Sequence, residues 1–170
     1  MKCLWSPWRM EYVLSNKGKG CLFCRILKEK RDEENLILHR GRSGFVMMNR
    51  FPYNNGHLMV LPKRHCIDPV ELNDSESEEV FSLLKMSTRV LGESLRPHGF
   101  NVGINIGKAA GAGSSHLHIH IVPRWNGDTN FMPVTGETKV IPETLLNTYA
   151  QLQGAFQATG EKRRKGEERT

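Results

Sequence analysis

The stretch His116-Leu117-His118-Ile119-His120-Ile121-Val122 constrains this chain more than any other. Its period of two fits a β-strand, in which alternate side chains leave opposite faces. His116, His118 and His120 then share one face, and Leu117, Ile119 and Ile121 the other. The aliphatic face demands a hydrophobic layer behind it, so the strand belongs in a sheet packed on at least one side. A half-buried strand needs outward polar residues but not three imidazoles, and imidazole both titrates nearest neutrality and is the commonest metal ligand. Nucleophile, acid or base, and metal ligand are all open to these rings, against the plain alternative of a surface strand that carries histidines. Two His at i and i+2 of one strand can also chelate a single ion.

The flanking sequence fits a site more than a plain surface. Residues 108–115, Lys-Ala-Ala-Gly-Ala-Gly-Ser-Ser, offer flexible backbone amides, two hydroxyls and a lysine, a composition that can cradle phosphate. Before them, Phe100, Val102, Ile104 and Ile106 alternate with Asn101, Gly103, Asn105 and Gly107, which predicts a strand whose apolar members face the core. Glycines on a strand face mark close approach of a ligand or another backbone. Lys108 or Arg124 can assist an anionic acceptor or simply sit in solvent.

Upstream, a strand is expected over 35–39, and the apolar runs 44–50 and 57–62 flank Asn55-Gly56, the signature of a hairpin turn. Asp74 or Ser75 is positioned to cap a helix running to Leu95, with Val80, Leu83, Leu84, Val90 and Leu91 at helical spacing and Pro97 beyond. The triad strand is expected to reach Trp125, followed by a polar loop over 126–133 and a helix over 141–157 with Pro142 near its start. Strands, helix, strands, helix in that order imply an α+β fold on an antiparallel sheet.

Cys21-Leu22-Phe23-Cys24 spaces two thiols so that both can reach one metal ion. A redox pair or two buried thiols are the alternatives, and Cys3 and Cys66 have no partner by spacing. No apolar run approaches the ~20 residues of a membrane span, and no signal-like stretch opens the chain, so a cytoplasmic protein without a membrane partner is expected. The net charge of +6 favours anionic partners. Part of it sits in residues 158–170, expected to be a disordered basic tail for which nucleic acid is not the expected target. Residues 1–20, with Trp5, Pro7, Trp8 and Tyr12, are expected to pack on the domain, residues 21–157, or on a partner subunit.

With these residues set out, the chain resembles the histidine-triad (HIT) family, whose pattern is His-φ-His-φ-His-φ-φ. Cys21-x-x-Cys24, Asn49-Arg50-x-Pro52, Gly56-His57-x-x-Val60-x-Pro62 and Gly111 to Ser115 reinforce the match. The Trp-Ser-Pro-Trp-Arg-Met start and the Pro-Arg-Trp-Asn-Gly-Asp-Thr-Asn-Phe segment after the triad are similar to the branch with bacterial diadenosine tetraphosphate phosphorylases and fragile-histidine-type hydrolases. The resemblance implies a compact α+β fold whose sheets pair in a homodimer, and attack of the central histidine on the α-phosphorus of a nucleotide.

Carried over, the nucleophile is His118, its phosphate-contacting partner His120, the ribose contact Asn49, and the phosphate contacts Asn105, Gly111, Gly113, Ser114 and Ser115. Asn105 stands where the fragile-histidine branch has a longer glutamine. Zinc-bearing members imply a ligand set of Cys21, Cys24, His65 and His116, two thiolates and two imidazoles that make a closed structural site. The implied activity is cleavage of dinucleoside polyphosphates through a nucleotidyl-histidine, with phosphorolysis of diadenosine tetraphosphate to ADP and ATP preferred. Hydrolysis of dinucleoside polyphosphates or nucleoside phosphoramidates and a regulatory nucleotide-binding module are the alternatives. Residue types alone do not choose between water and inorganic phosphate as acceptor.

Overall fold

The computed structural model describes residues 20–128, 141 and 143–167, with side chains as far as residue 160. The expectations for residues 1–19, for Pro142 and for the loop past residue 128 lie outside the described residues. The order is α1 (Leu22–Glu29), β1 (Ile37–Arg40), β2 (Gly44–Met48), β3 (Leu58–Pro62), α2 (Asp74–Leu95), β4 (Gly99–Ile104), β5 (Ile119–Arg124) and α3 (Leu145–Glu167). The five strands form one antiparallel sheet in the order β1-β2-β3-β5-β4. This is the expected α+β architecture.

The hairpin β2–β3 is the centre of the sheet, and all ten of its residues are buried. The pleat sends Val46, Met48, Leu58 and Val60 to one face, where α2 and α3 bring Val80, Leu83, Val90, Leu91, Tyr149, Leu152 and Phe156. Phe45, Met47, Met59 and Leu61 take the other face, which α1 covers with Phe23 and Ile26. Burial on both faces explains why these strands read as continuous apolar runs. In β5 the same parity puts Ile119 and Ile121 on the α2 face. His118 and His120 therefore lie on the α1 face. A fully buried Leu or Ile contributes about 1.5–3 kcal/mol, so inverting this parity would forfeit several such terms.

Four sequence expectations shift. The ladder begins at Ile119, and His116 to His118 form an extended lead-in held by the bond from Leu117 N–H to the Cys66 carbonyl at 2.7 Å. Asn73 caps α2, in a reciprocal capping box with Glu76, where Asp74 or Ser75 was expected. The C-terminal helix starts at Leu145 and continues past Gln157 to Glu167, through a stretch whose Glu, Lys and Arg residues are strong helix formers. Of the apolar residues expected to face the core from β4 and its continuation, only Phe100 packs against it. Val102, Ile104 and Ile106 stay 49%, 37% and 48% exposed, because β4 is the sheet edge that the helices do not cover.

Candidate functional site

Two groups of side chains meet on the α1 face of the sheet. In the first, Cys21 and Cys24 from the start of α1, His65 from the segment after β3, and His116 bring their four ligand atoms within 4.8 Å of one another. Bonds of about 2.3 Å to sulfur and 2.0–2.1 Å to nitrogen place tetrahedral zinc ligands roughly 3.3–3.8 Å apart. The thiol Sγ to imidazole Nδ1 separations are 3.3 Å for Cys21–His116, 3.6 Å for Cys24–His65 and 3.7 Å for Cys24–His116, inside that range. His116 donates its Nε2–H to the Pro62 carbonyl at 2.9 Å, which leaves the Nδ1 lone pair facing the sulfurs. Burial, then Cys21, push the Cys24 thiol up; a divalent cation would invert that preference and hold it as thiolate. The donor set fits a metal ion.

His65 owes its place to a clamp. Arg64 donates Nε–H and Nη2–H to the Glu76 carboxylate at 2.8 and 2.7 Å, and Nη2–H also to the Glu71 carbonyl. Glu76 is the capping-box residue of α2, so the helix N-terminus and the Cys/His cluster share one anchor.

The second group is a chain of hydrogen bonds with a defined direction. His118 donates Nδ1–H to the His116 carbonyl at 2.7 Å, which leaves Nε2 with a free lone pair. The Tyr53 backbone N–H donates to His57 Nδ1 at 3.1 Å. His57 therefore carries its proton on Nε2 and donates it to His120 Nδ1 at 2.9 Å. His120 in turn holds its proton on Nε2, as a donor. Burial, reinforced by the neighbouring imidazoles, lowers His57 to about 3 and His120 to about 4, so both are neutral at physiological pH. The rings of His118 and His120 meet edge to face at 4.7 Å, and Phe23 packs 5.7 Å from His118. Gly103 stands opposite His120 in the β4–β5 register, and among the described residues a Cβ there would meet nothing within 4 Å.

Around these rings the remaining sequence candidates separate. Asn105, Gly113, Ser114 and Ser115 line one cavity of about 480 Å3 with His116, and Gly111 closes a tight turn beside it. Among the described residues, the backbone N–H and hydroxyl groups of Ser114 and Ser115 have no hydrogen-bond partner within the chain. Asn49 uses its Oδ1 to accept from Phe51 N–H at 2.9 Å, leaving its amide NH2 for a ligand. The sequence reading did not place His57 among the site residues. A histidine at the mouth of the fully buried β3 run, on the parity of Met59 and Leu61, was the available signal.

The fold class is that of the histidine-triad proteins, to judge from solved structures. A Zn-bound histidine triad family protein from Mycobacterium smegmatis superposes with a TM-score of 0.68 at 24% identity, over 84% of this chain and 96% of that one. A hypothetical histidine triad nucleotide-binding protein from Sulfolobus tokodaii gives 0.66 at 25% identity, over 84% and 93%. The HIT domain model matches residues 30–127, and the chain belongs to the HIT family. In sequence it is 41% identical over 155 residues to the AP-4-A phosphorylase of Mycobacterium tuberculosis, covering 85% of this chain and 79% of that protein. It is 31% identical over 107 residues to the adenosine 5'-monophosphoramidase hnt1 of Schizosaccharomyces pombe, covering 63% and 76%. Among the described residues no helix is long and apolar enough to cross a membrane.

Proposed function

We propose that this protein cleaves diadenosine tetraphosphate with inorganic phosphate, giving ADP and ATP through a nucleotidyl intermediate on His118. The observation that carries the reading is the bond from His118 Nδ1–H to the His116 carbonyl, which fixes the tautomer and leaves Nε2 unprotonated. Nε2 attacks the α-phosphorus, the bond to the bridging oxygen breaks, and ATP departs. A phosphate oxygen then attacks the same phosphorus, the P–N bond breaks, and ADP leaves with His118 restored. The 41% identity to a phosphorylase supports phosphate as acceptor over water.

In this reading His120 donates its Nε2–H to a phosphoryl oxygen as charge builds there, held in that tautomer by His57. Ser114 and Ser115 supply amide and hydroxyl donors, Gly111 and Gly113 let the backbone approach the phosphates, Asn105 contacts a phosphate oxygen, and Asn49 donates to the ribose. Cys21, Cys24, His65 and His116 hold a structural zinc ion, which ties α1 to the lead-in of β5 and takes no part in the transfer. The uncovered edge of β4, with Val102, Ile104 and Ile106 outward, supports a homodimer that continues the sheet across the two copies.

Product analysis with diadenosine tetraphosphate tests the reading. ADP and ATP formed only when phosphate is present are expected. AMP and ATP in equal amounts irrespective of phosphate would assign water as acceptor and place the activity with the hydrolytic relatives.

A further inference from the structure

Two cations stand near the triad strand, and the fold uses them differently. Arg124 donates Nε–H and Nη2–H to Asp128 at 2.7 and 2.8 Å and Nη1–H to Asn101 at 2.7 Å. Its guanidinium braces the chain where it leaves β5. The Lys108 side chain, among the described residues, makes no hydrogen bond or ion pair. It lines the same cavity as Asn105, Ser114 and Ser115, where it is the one permanent cation among the described residues. The one carboxylate there, Asp68, caps the turn Pro69–Glu71 by accepting from Val70 N–H at 3.0 Å. The placement of Lys108 is a backbone matter. Gly107 and Gly111, at φ of 78° and 84°, bracket it in a tight turn closed by Ala110 N–H to the Gly107 carbonyl at 3.2 Å and Gly111 N–H to the Lys108 carbonyl at 3.0 Å.

We propose that Lys108 recognises the acceptor phosphate and so sets the choice of phosphate over water; the proposal rests on the phosphorolytic reading above. In-line displacement requires the entering oxygen to approach opposite His118 Nε2, where the departing oxygen of ATP stood. Water reaches that position without help. A phosphate dianion must be drawn from dilute solution and held there, which neutral hydroxyl and amide donors do less strongly than a charged ammonium. Because the departing triphosphate and the entering phosphate share this place, one cation serves both halves of the reaction, but only the second half contains the competition with water.

The test is the partition of the intermediate. Diadenosine tetraphosphate is turned over across a range of phosphate concentrations, and the ratio of ADP to AMP is read from the products. That ratio depends only on how the nucleotidyl-enzyme divides, so a slower first half-reaction does not disturb it. In Lys108→Met the phosphate concentration giving equal ADP and AMP should rise about tenfold or more, while Lys108→Arg should stay within about threefold of the parent. An unchanged ratio in Lys108→Met overturns the assignment. So does a folded Lys108→Met, judged by circular dichroism, that forms no intermediate at all, since the residue would then belong to the first step. Absence of ADP from the unaltered protein at every phosphate concentration would instead overturn the phosphorolytic reading itself.

Discussion

His116 and His118 are two residues apart on one extended segment, both buried, and each gives one N–H to a backbone carbonyl. The nitrogens they use are opposite. His116 donates from Nε2 to Pro62 and turns Nδ1 toward two sulfurs and His65. His118 donates from Nδ1 to the carbonyl of His116 and leaves Nε2 without a partner. The same side chain becomes a candidate ligand in one place and a candidate nucleophile in the other, and what separates them is which carbonyl lies within reach of which nitrogen. Sequence spacing puts both rings on one face but does not choose the tautomer. The choice comes from β3 on one side and the chain's own backbone on the other.

The sharpest way to break this contrast is His118→Ala. Removing a covalent nucleophile should lower turnover of diadenosine tetraphosphate by about 10^3-fold or more. Metal content should stay at the parental level, since no cluster ligand changes. The labelled nucleotidyl-enzyme, trapped by quenching in alkaline denaturant, in which the P–N bond survives, should vanish. Residual turnover equal to that of the parent protein would remove His118 from the chemistry and leave the carbonyl bond as a packing device.

Cys24→Ser attacks the other half. Losing one of four ligands should empty the cluster of zinc by elemental analysis and lower stability by several kcal/mol, because metal binding and folding are coupled. At a temperature where the variant stays folded, its partition of products should match the parent's, as Cys24 belongs neither to the relay from Tyr53 to His120 nor to the bond that fixes His118. A variant that keeps its stability, or a preparation of the unaltered protein with no metal, would sink the structural-zinc assignment.

The α+β class, the hairpin at Asn55-Gly56, the long helix to Leu95 and the shared face of His118 and His120 were legible because each follows from a local pattern: the order of strands and helices, a turn dipeptide, a helical apolar stripe, period two. The meeting of Cys21, Cys24, His65 and His116 was legible because the spacing of the two cysteines and the resemblance supplied it. The exposure of Val102, Ile104 and Ile106 was not, since alternation shows which residues share a face and not whether anything covers it. Nor was the Arg64–Glu76 clamp, or the engagement of Arg124 by Asp128 and Asn101. Those are contacts between polar and charged side chains whose meeting depends on how the strands and loops close. His57 stood in a quoted motif, yet its role needed the register that sets Met59 against His120 and so brings His57, just before β3, to His120 of β5.

His57 also carries the subtlest prediction. Its Nε2–H holds His120 in the tautomer that donates from Nε2, so His57→Phe should lower kcat by about 10²-fold, within the range of general acid and base effects. KM should change little, and His57→Gln, whose amide can donate to His120 Nδ1, should recover part of the rate. A ring that merely packs would give no recovery with Gln, because phenylalanine fills the space better. The pH dependence of stability supplies an independent reading. His57 at about 3 and His120 at about 4 lie below the ordinary imidazole value of 6.5, so the unfolded chain binds more protons than the folded one between roughly pH 3 and 6.5. Their contribution to stability is full above that window and is lost as the pH falls through it. Urea titrations from pH 7 to 4 should show His57→Phe losing stability less steeply than the parent, by up to about 1.4 kcal/mol per pH unit for the one proton removed. Equal slopes would mean that His57 takes up its proton in the native state, and the neutral relay from Tyr53 to His120 would fail with it.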